Sequence, residues 1–201
     1  MTNLIAYINE ELKLGKSKSR YKYHPKTKEE LEDIIFQRIE NEGNEVDLND
    51  IDVSNITDMS GLFEGTDFNG NISNWDVSNV TNMISMFSYC EKFNQDISAW
   101  DVSKVKDMSY IFSGCKEFNK DISNWNVSNV IYMEGMFYEC EAFNQNIYDW
   151  DVSNVVDMSE MFNKCKSFNQ DISLWNVYKV TNSFKMFDDC PIEEKNKPKF
   201  K

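Results

Sequence analysis

Residues 93–108 read "FNQDISAWDVSKVKDM", and nearly the same words return at 118–133 ("FNKDISNWNVSNVIYM"), 143–158 ("FNQNIYDWDVSNVVDM") and 168–183 ("FNQDISLWNVYKVTNS"). Working outward, Trp75, Trp100, Trp125, Trp150 and Trp175 stand twenty-five residues apart, as do Cys90, Cys115, Cys140, Cys165 and Cys190. Phe68, Phe93, Phe118, Phe143 and Phe168 keep the same step, and so do Ile72, Ile97, Ile122, Ile147 and Ile172. A period of this size, held without drift, marks segments that stack and share one continuous core.

Within one period, Phe93, Gln95 and Ile97 alternate with Asn94 and Asp96, which predicts a short strand with the latter two on its outer face. Trp100 and Val102 then turn inward at a bend. Val105, Met108, Ile111 and Phe112 follow at helical spacing, predicting a short helix with Ser103 as its N-cap. Ser78, Ser128 and Ser153 hold the equivalent cap positions. The expected architecture is therefore α/β: about six 25-residue coils, each a short parallel strand plus a short helix, stacked as a solenoid.

The series begins before the first Trp, because "DLNDIDVSNITDMSGLF" from Asp47 matches the unit with Ile51 in place of Trp. Ahead of it, Thr27, Glu30 and the apolar set Leu31, Ile34, Ile35 and Ile39, stopped by Gly43, predict a capping helix. The chain divides on this reading into an N-terminal lead and capping helix (1–45), a repeat region (46–190) and a basic flexible tail (191–201). "LIAYINEEL" near the N-terminus offers one more short helix. The last coil weakens, with Ser183 standing where Met is expected, and no cap for it is visible.

The chain has 201 residues and a net charge of −13. Residues 46–190 carry nine Lys against twenty-three Asp and Glu, so the repeating body is the acidic part. That charge excludes direct nucleic-acid binding, which needs a cationic footprint, and favours solubility or a basic protein partner. No apolar run reaches membrane-spanning length, and the first residues lack the basic and apolar regions of a secretion signal. The expectation is a cytoplasmic protein, or a fragment of an exported one.

The cysteine column reads as buried free thiols, since five is an odd number and no Cys-x₂-Cys knuckle is present for zinc. The Trp column reads as core, because Ile51 replaces it in the first coil. The column Asp76, Asp101, Asn126, Asp151 and Asn176 is suited to accept turn N–H groups. His24 is the only histidine, and no nucleophile–base pair or phosphate cradle is legible. The reading is of a non-enzyme with no cofactor and no metal site. The binding residues it selects are Asn94, Asp96, Asn119, Asp121, Asn144, Asn146, Asn169 and Asp171, the outer face of the expected strands.

The unit "MFxxCxxFNQDISxWDVSxVxxM", carried here by Met86, Phe87, Cys90, Phe93, Asn94, Asp96, Ile97, Trp100, Asp101 and Val102, resembles the repeat of BspA-like, leucine-rich-repeat-related surface proteins of mycoplasmas, oral and gut bacteria and some phages. The resemblance covers Asp47 to Cys190. It implies a right-handed, leucine-rich-repeat-like solenoid and a role in adhesion or protein binding. Function is accordingly expected to be a non-catalytic protein-binding scaffold using the acidic, Asn-rich strand face. The alternatives are an intracellular effector or phage-encoded inhibitor of a basic protein, and a structural spacer.

Overall fold

A computed structural model describes residues 20–201; the short helix expected at "LIAYINEEL" and the lead up to residue 19 lie outside the described residues. Helix α1 (Lys28–Glu42) begins at Thr27, whose hydroxyl accepts the Glu30 N–H at 3.2 Å. It stops at Gly43, which takes φ +88° and donates its N–H to the Ile39 carbonyl. Leu31 and Ile35 bury one side of α1 in the core. The Lys28 ammonium reaches the Ser60 hydroxyl at 2.8 Å, and the Arg38 guanidinium reaches Asp50 at 2.8 Å and the Asp47 carbonyl at 2.9 Å. These contacts seat α1 on the first segment, and Tyr23 adds a parallel bridge to Ile51.

Beyond α1, the described residues contain one 3-10 turn (Glu194–Asn196), no further α-helix and no strand. The expected α/β solenoid of strand-plus-helix coils is therefore corrected. Its would-be helices are replaced by a ribbon of tight turns with its own hydrogen-bond rule. The N–H groups of Met108, Tyr110, Phe112 and Gly114 donate to the carbonyls of Tyr132, Glu134, Met136 and Tyr138 in the next segment, at 2.7–3.1 Å. The intervening N–H groups of Ile111, Ser113 and Cys115 fold back to the carbonyls of Met108, Tyr110 and Phe112. A helix needs each N–H for the carbonyl four residues back, and a strand folds none back. Alternation between the two patterns makes neither.

Left-handed residues enforce the alternation. Tyr110 and Gly114 take φ +57° and +72°, and the pairs Gly61/Gly65, Ser85/Tyr89, Gly135/Glu139, Glu160/Lys164 and Lys185/Asp189 do the same in the other segments. Two such residues per ribbon cannot occur inside an α-helix. Ser78, Ser103, Ser128 and Ser153 accordingly cap no helix; their N–H groups donate to Asp76, Asp101, Asn126 and Asp151. The expected strands fail because their N–H groups find other acceptors: that of Phe93 folds back to the Cys90 carbonyl and that of Asn94 goes to the Asn69 side chain. The parallel bridges between consecutive segments lie elsewhere and singly, Asp58 to Asn82, Asn82 to Asp107, Asp107 to Tyr132, Tyr132 to Asp157 and Asp157 to Asn182.

Segments nevertheless lie one on the next around a continuous apolar interior. Phe63, Phe87, Phe112, Phe137, Phe162 and Phe187 stack with ring centroids 5.4–5.9 Å apart. Each of the first five also lies 3.9–4.1 Å from a second column, Phe68, Phe93, Phe118, Phe143 and Phe168. Offset stacking at these separations is favourable beyond the area it buries. Residues 191–201, expected as a flexible tail, bury Ile192 and Pro198, and the Asn196 carbonyl accepts the Ile172 N–H at 2.9 Å.

Candidate functional site

The eight residues selected as a binding face carry local bonds of the fold. Asn94 Oδ1 accepts the main-chain N–H of Asn119, Asn119 that of Asn144 and Asn144 that of Asn169, at 3.0–3.1 Å. Asn69 begins this ladder by accepting from Asn94, and Asn169 ends it by accepting from Glu193. The side-chain amides of Gln95, Gln145 and Gln170 bond the same Asn residues of the preceding segment, so Gln95 is tied to the ladder rather than placed in the core. Asp96, Asp121, Asn146 and Asp171 each accept the N–H two residues on, at 2.9–3.0 Å. The strand face proposed to bind a partner is thus corrected, since the strands do not form. The binding scaffold, with its effector, inhibitor and spacer alternatives, falls with it.

Hydrogen bonds from Ser98 hold the Asp96 carboxyl below its ordinary range, and bonds from Ser123 and Ser173 do the same for Asp121 and Asp171. A third column, Asp58, Asn82, Asp107, Asp157 and Asn182, accepts N–H groups at the start of every turn ribbon but the fourth, where Tyr132 stands. Turn-forming carboxylates and amides, three columns deep, account for much of the acidic and Asn-rich composition.

The tryptophans and cysteines point inward. Trp100, Trp125, Trp150 and Trp175 donate their indole N–H to the carbonyls of Ile72, Ile97, Ile122 and Ile147, at 3.1–3.2 Å. Cys115, Cys140 and Cys165 donate their thiols to the carbonyls of Phe87, Phe112 and Phe137. Burial raises these three thiols well above the usual value and that of Cys90 to about 11; half-buried Cys190 is raised as well. His24 lies 3.3 Å from Asp52 near the surface. Among the described residues, no cluster of three or more His, Cys, Asp or Glu could hold a metal ion, and no helix is long and apolar enough to cross a membrane.

The ends of the stack differ from its sides. In every inner ribbon four alternate N–H groups are taken by the next segment, but those of Ser183, Lys185, Phe187 and Asp189 have no acceptor among the described residues. Leu174, Tyr178 and Phe184, all within this last segment, are 72%, 70% and 63% exposed. One segment earlier the same positions hold Asp149, Ser153 and Ser159. A cavity of about 750 Å³ separates the row from the C-terminal residues, and Lys185, Lys195, Lys197 and Lys199 line it together with Asp188 and Glu194. At the other end, which α1 caps, the carbonyls of Asp58, Ser60, Leu62 and Glu64 receive no main-chain donor among the described residues. Beside them a groove of about 610 Å³ runs between α1 and residues 61–67, lined by Ile35, Phe36, Ile39 and Leu62 together with Glu32, Glu40 and Asp67. These end residues were not selected from sequence. The polar-to-apolar changes at 174, 178 and 184 were the signal that could have found them.

Fold and site define, among the described residues, a strandless stack of turn ribbons, capped by one helix and ending in a ribbon whose N–H row is unpaired. A family model matches residues 31–140 and 115–200, and the chain belongs to that family, described as Mycoplasma protein of unknown function, DUF285. No curated protein and no solved structure matches the chain. The resemblance to BspA-like, leucine-rich-repeat-related surface proteins is corrected: the matching family carries no stated activity, and a ribbon without strands is not a leucine-rich-repeat coil. The adhesion role that the resemblance implied goes with it.

Proposed function

We propose that the chain acts without catalysis, as an association module whose working surface is the open C-terminal end of its stack. The observation that carries this reading is the row of four unpartnered N–H groups on Ser183, Lys185, Phe187 and Asp189. An unpaired main-chain row invites pairing with another chain, and natural proteins usually blunt such edges. Here Phe184, within the row, is exposed, as are Leu174 and Tyr178 earlier in the same segment. In the inner ribbons the corresponding N–H groups are taken by the next segment.

A photo-crosslinking residue placed at 184 tests the reading in the cell that makes the protein, with the same residue at 96 and at 121 as controls. Adducts formed from 184 and not from the controls are the expected result. No adduct from 184, or equal yields from all three positions, overturns it.

A further inference from the structure

We infer that the last two ribbons hold a binding site for a neutral polyhydroxylated ligand, of the size of a mono- or disaccharide. The site is a cavity of about 470 Å³, and Asn163 is its one deeply buried polar group. Asn163 is 6% exposed, and its side-chain amide has no hydrogen-bond partner among the described residues. Buried polar groups are ordinarily paired. The amide is not sealed in the core either, since the only sealed and unpaired side-chain polar atom among the described residues is Asn49 Nδ2. It is therefore reached from the cavity that Asn163 lines.

The sequence opens this cavity. In earlier ribbons the rings of Tyr89 and Tyr110 lie against Gly114 and Gly135 of the next segment, so close that a Cβ on either glycine would stand 2.4–2.7 Å from them. The equivalent pairs in the last two ribbons are Lys164 with Asp189 and Glu160 with Lys185, which bring no ring. Asn163 itself stands where earlier ribbons carry Ser88 and Ser113. One wall is fixed, because the Lys164 ammonium donates to the Tyr138 hydroxyl at 2.9 Å and to the Glu139 carboxylate at 2.6 Å. The carboxylates of Glu160 and Asp188 have no hydrogen-bond or ion-pair partner among the described residues, and Asp189 meets Lys166 at 4.0 Å. The Lys185 ammonium rests over the Phe184 ring.

Two ammonium groups among three carboxylates oppose a ligand carrying a single charge of either sign. Among the described residues no group of three or more His, Cys, Asp or Glu could hold a metal ion. A hydroxyl both donates and accepts, as the Asn163 amide does, so neighbouring hydroxyls satisfy amide, carboxylate and ammonium alike. The volume lies in the ordinary range of small-molecule sites. Lys185 and Asp189 give their side chains to this cavity and their main-chain N–H groups to the end row, so the site adjoins that end and needs no partner there.

Amide NMR spectra of the isotope-labelled full chain test this, titrated with glucose, galactose, mannose and N-acetylglucosamine, and separately with spermidine, phosphate and glycine. At least one sugar should shift the Asn163 side-chain signal saturably, and the charged probes should not; the signal is identified by its loss in Asn163→Ser. That variant installs the residue found at 88 and 113, and Asp188→Asn changes an exposed position. Each should weaken the sugar by about tenfold, the worth of one ordinary hydrogen bond, read from the main-chain signals of residues 160–164. Asp121→Asn should leave binding unchanged. No saturable shift with any sugar, saturation by a charged probe instead, or sugar binding undiminished in a folded variant of Asn163 or Asp188 overturns the inference.

Discussion

Single residues in this protein are occupied by turns more than by chemistry. Asp96, Asp121 and Asp171 accept N–H bonds two residues along the chain, and Asn146 does the same work in their column without a charge. Their carboxyl groups are held below the ordinary range, so their contribution is present above the unfolded pKa, about 4, and is lost as pH falls through the lower folded value. The melting temperature should hence be level above about pH 5 and drop in acid. Asp96→Asn, Asp121→Asn and Asp171→Asn combined keep the acceptor and remove the titration. Melting curves followed by circular dichroism across the pH range should show a shallower acid limb for the triple variant. An unchanged limb would mean that other carboxylates govern acid unfolding.

At the scale of elements, the turn ribbon depends on its left-handed positions. Glycine fills them at Gly61, Gly65, Gly114 and Gly135, while Ser85, Tyr110 and Glu160 accept the same backbone with a side chain attached. A side chain in that region costs about 1–2 kcal/mol, partly offset by the greater freedom of glycine in the unfolded chain. Ser85→Gly should stabilise by about 0.5–1 kcal/mol on that balance. Gly135→Ala should destabilise, because an added Cβ would stand 2.4 Å from the Tyr110 ring. Urea unfolding of both variants checks the pair, and a shift of the same sign in both would contradict the ribbon geometry.

For the whole molecule, stability is shared between neighbouring segments through the Phe and Trp columns. Trp125 is 3% exposed, stacks on Trp100 at 6.5 Å and bonds the Ile97 carbonyl, so it ties its own segment to the one before. Trp125→Ala leaves a cavity at a joint and should cost about 3–5 kcal/mol. Because each segment touches only its neighbours, the loss should loosen the stack on both sides of the joint. Hydrogen exchange should rise first around residues 97–137 and last at the Thr27-capped α1. Uniform exchange throughout would argue for a single cooperative unit instead.

What the sequence determined by itself was the periodicity, the inward columns and α1. Leu31 and Ile35 repeat on one side of a helix whose start and stop signals are local, and Trp, Phe and Cys recur at a fixed step because equivalent positions meet in the stack. Tertiary structure alone decided the backbone between those columns. Met108, Ile111 and Phe112 satisfy a helical spacing, but the carbonyls that take the N–H groups of Met108, Tyr110 and Phe112 lie about twenty-five residues away. Asn94 likewise alternates as in a strand, and only the neighbouring Asn69 and Asn119 show its bonds to be a side-chain ladder. Apolar spacing reports which side chains are buried, whereas helix, strand or ribbon is set by where each N–H finds its acceptor, and here half of those acceptors belong to another segment.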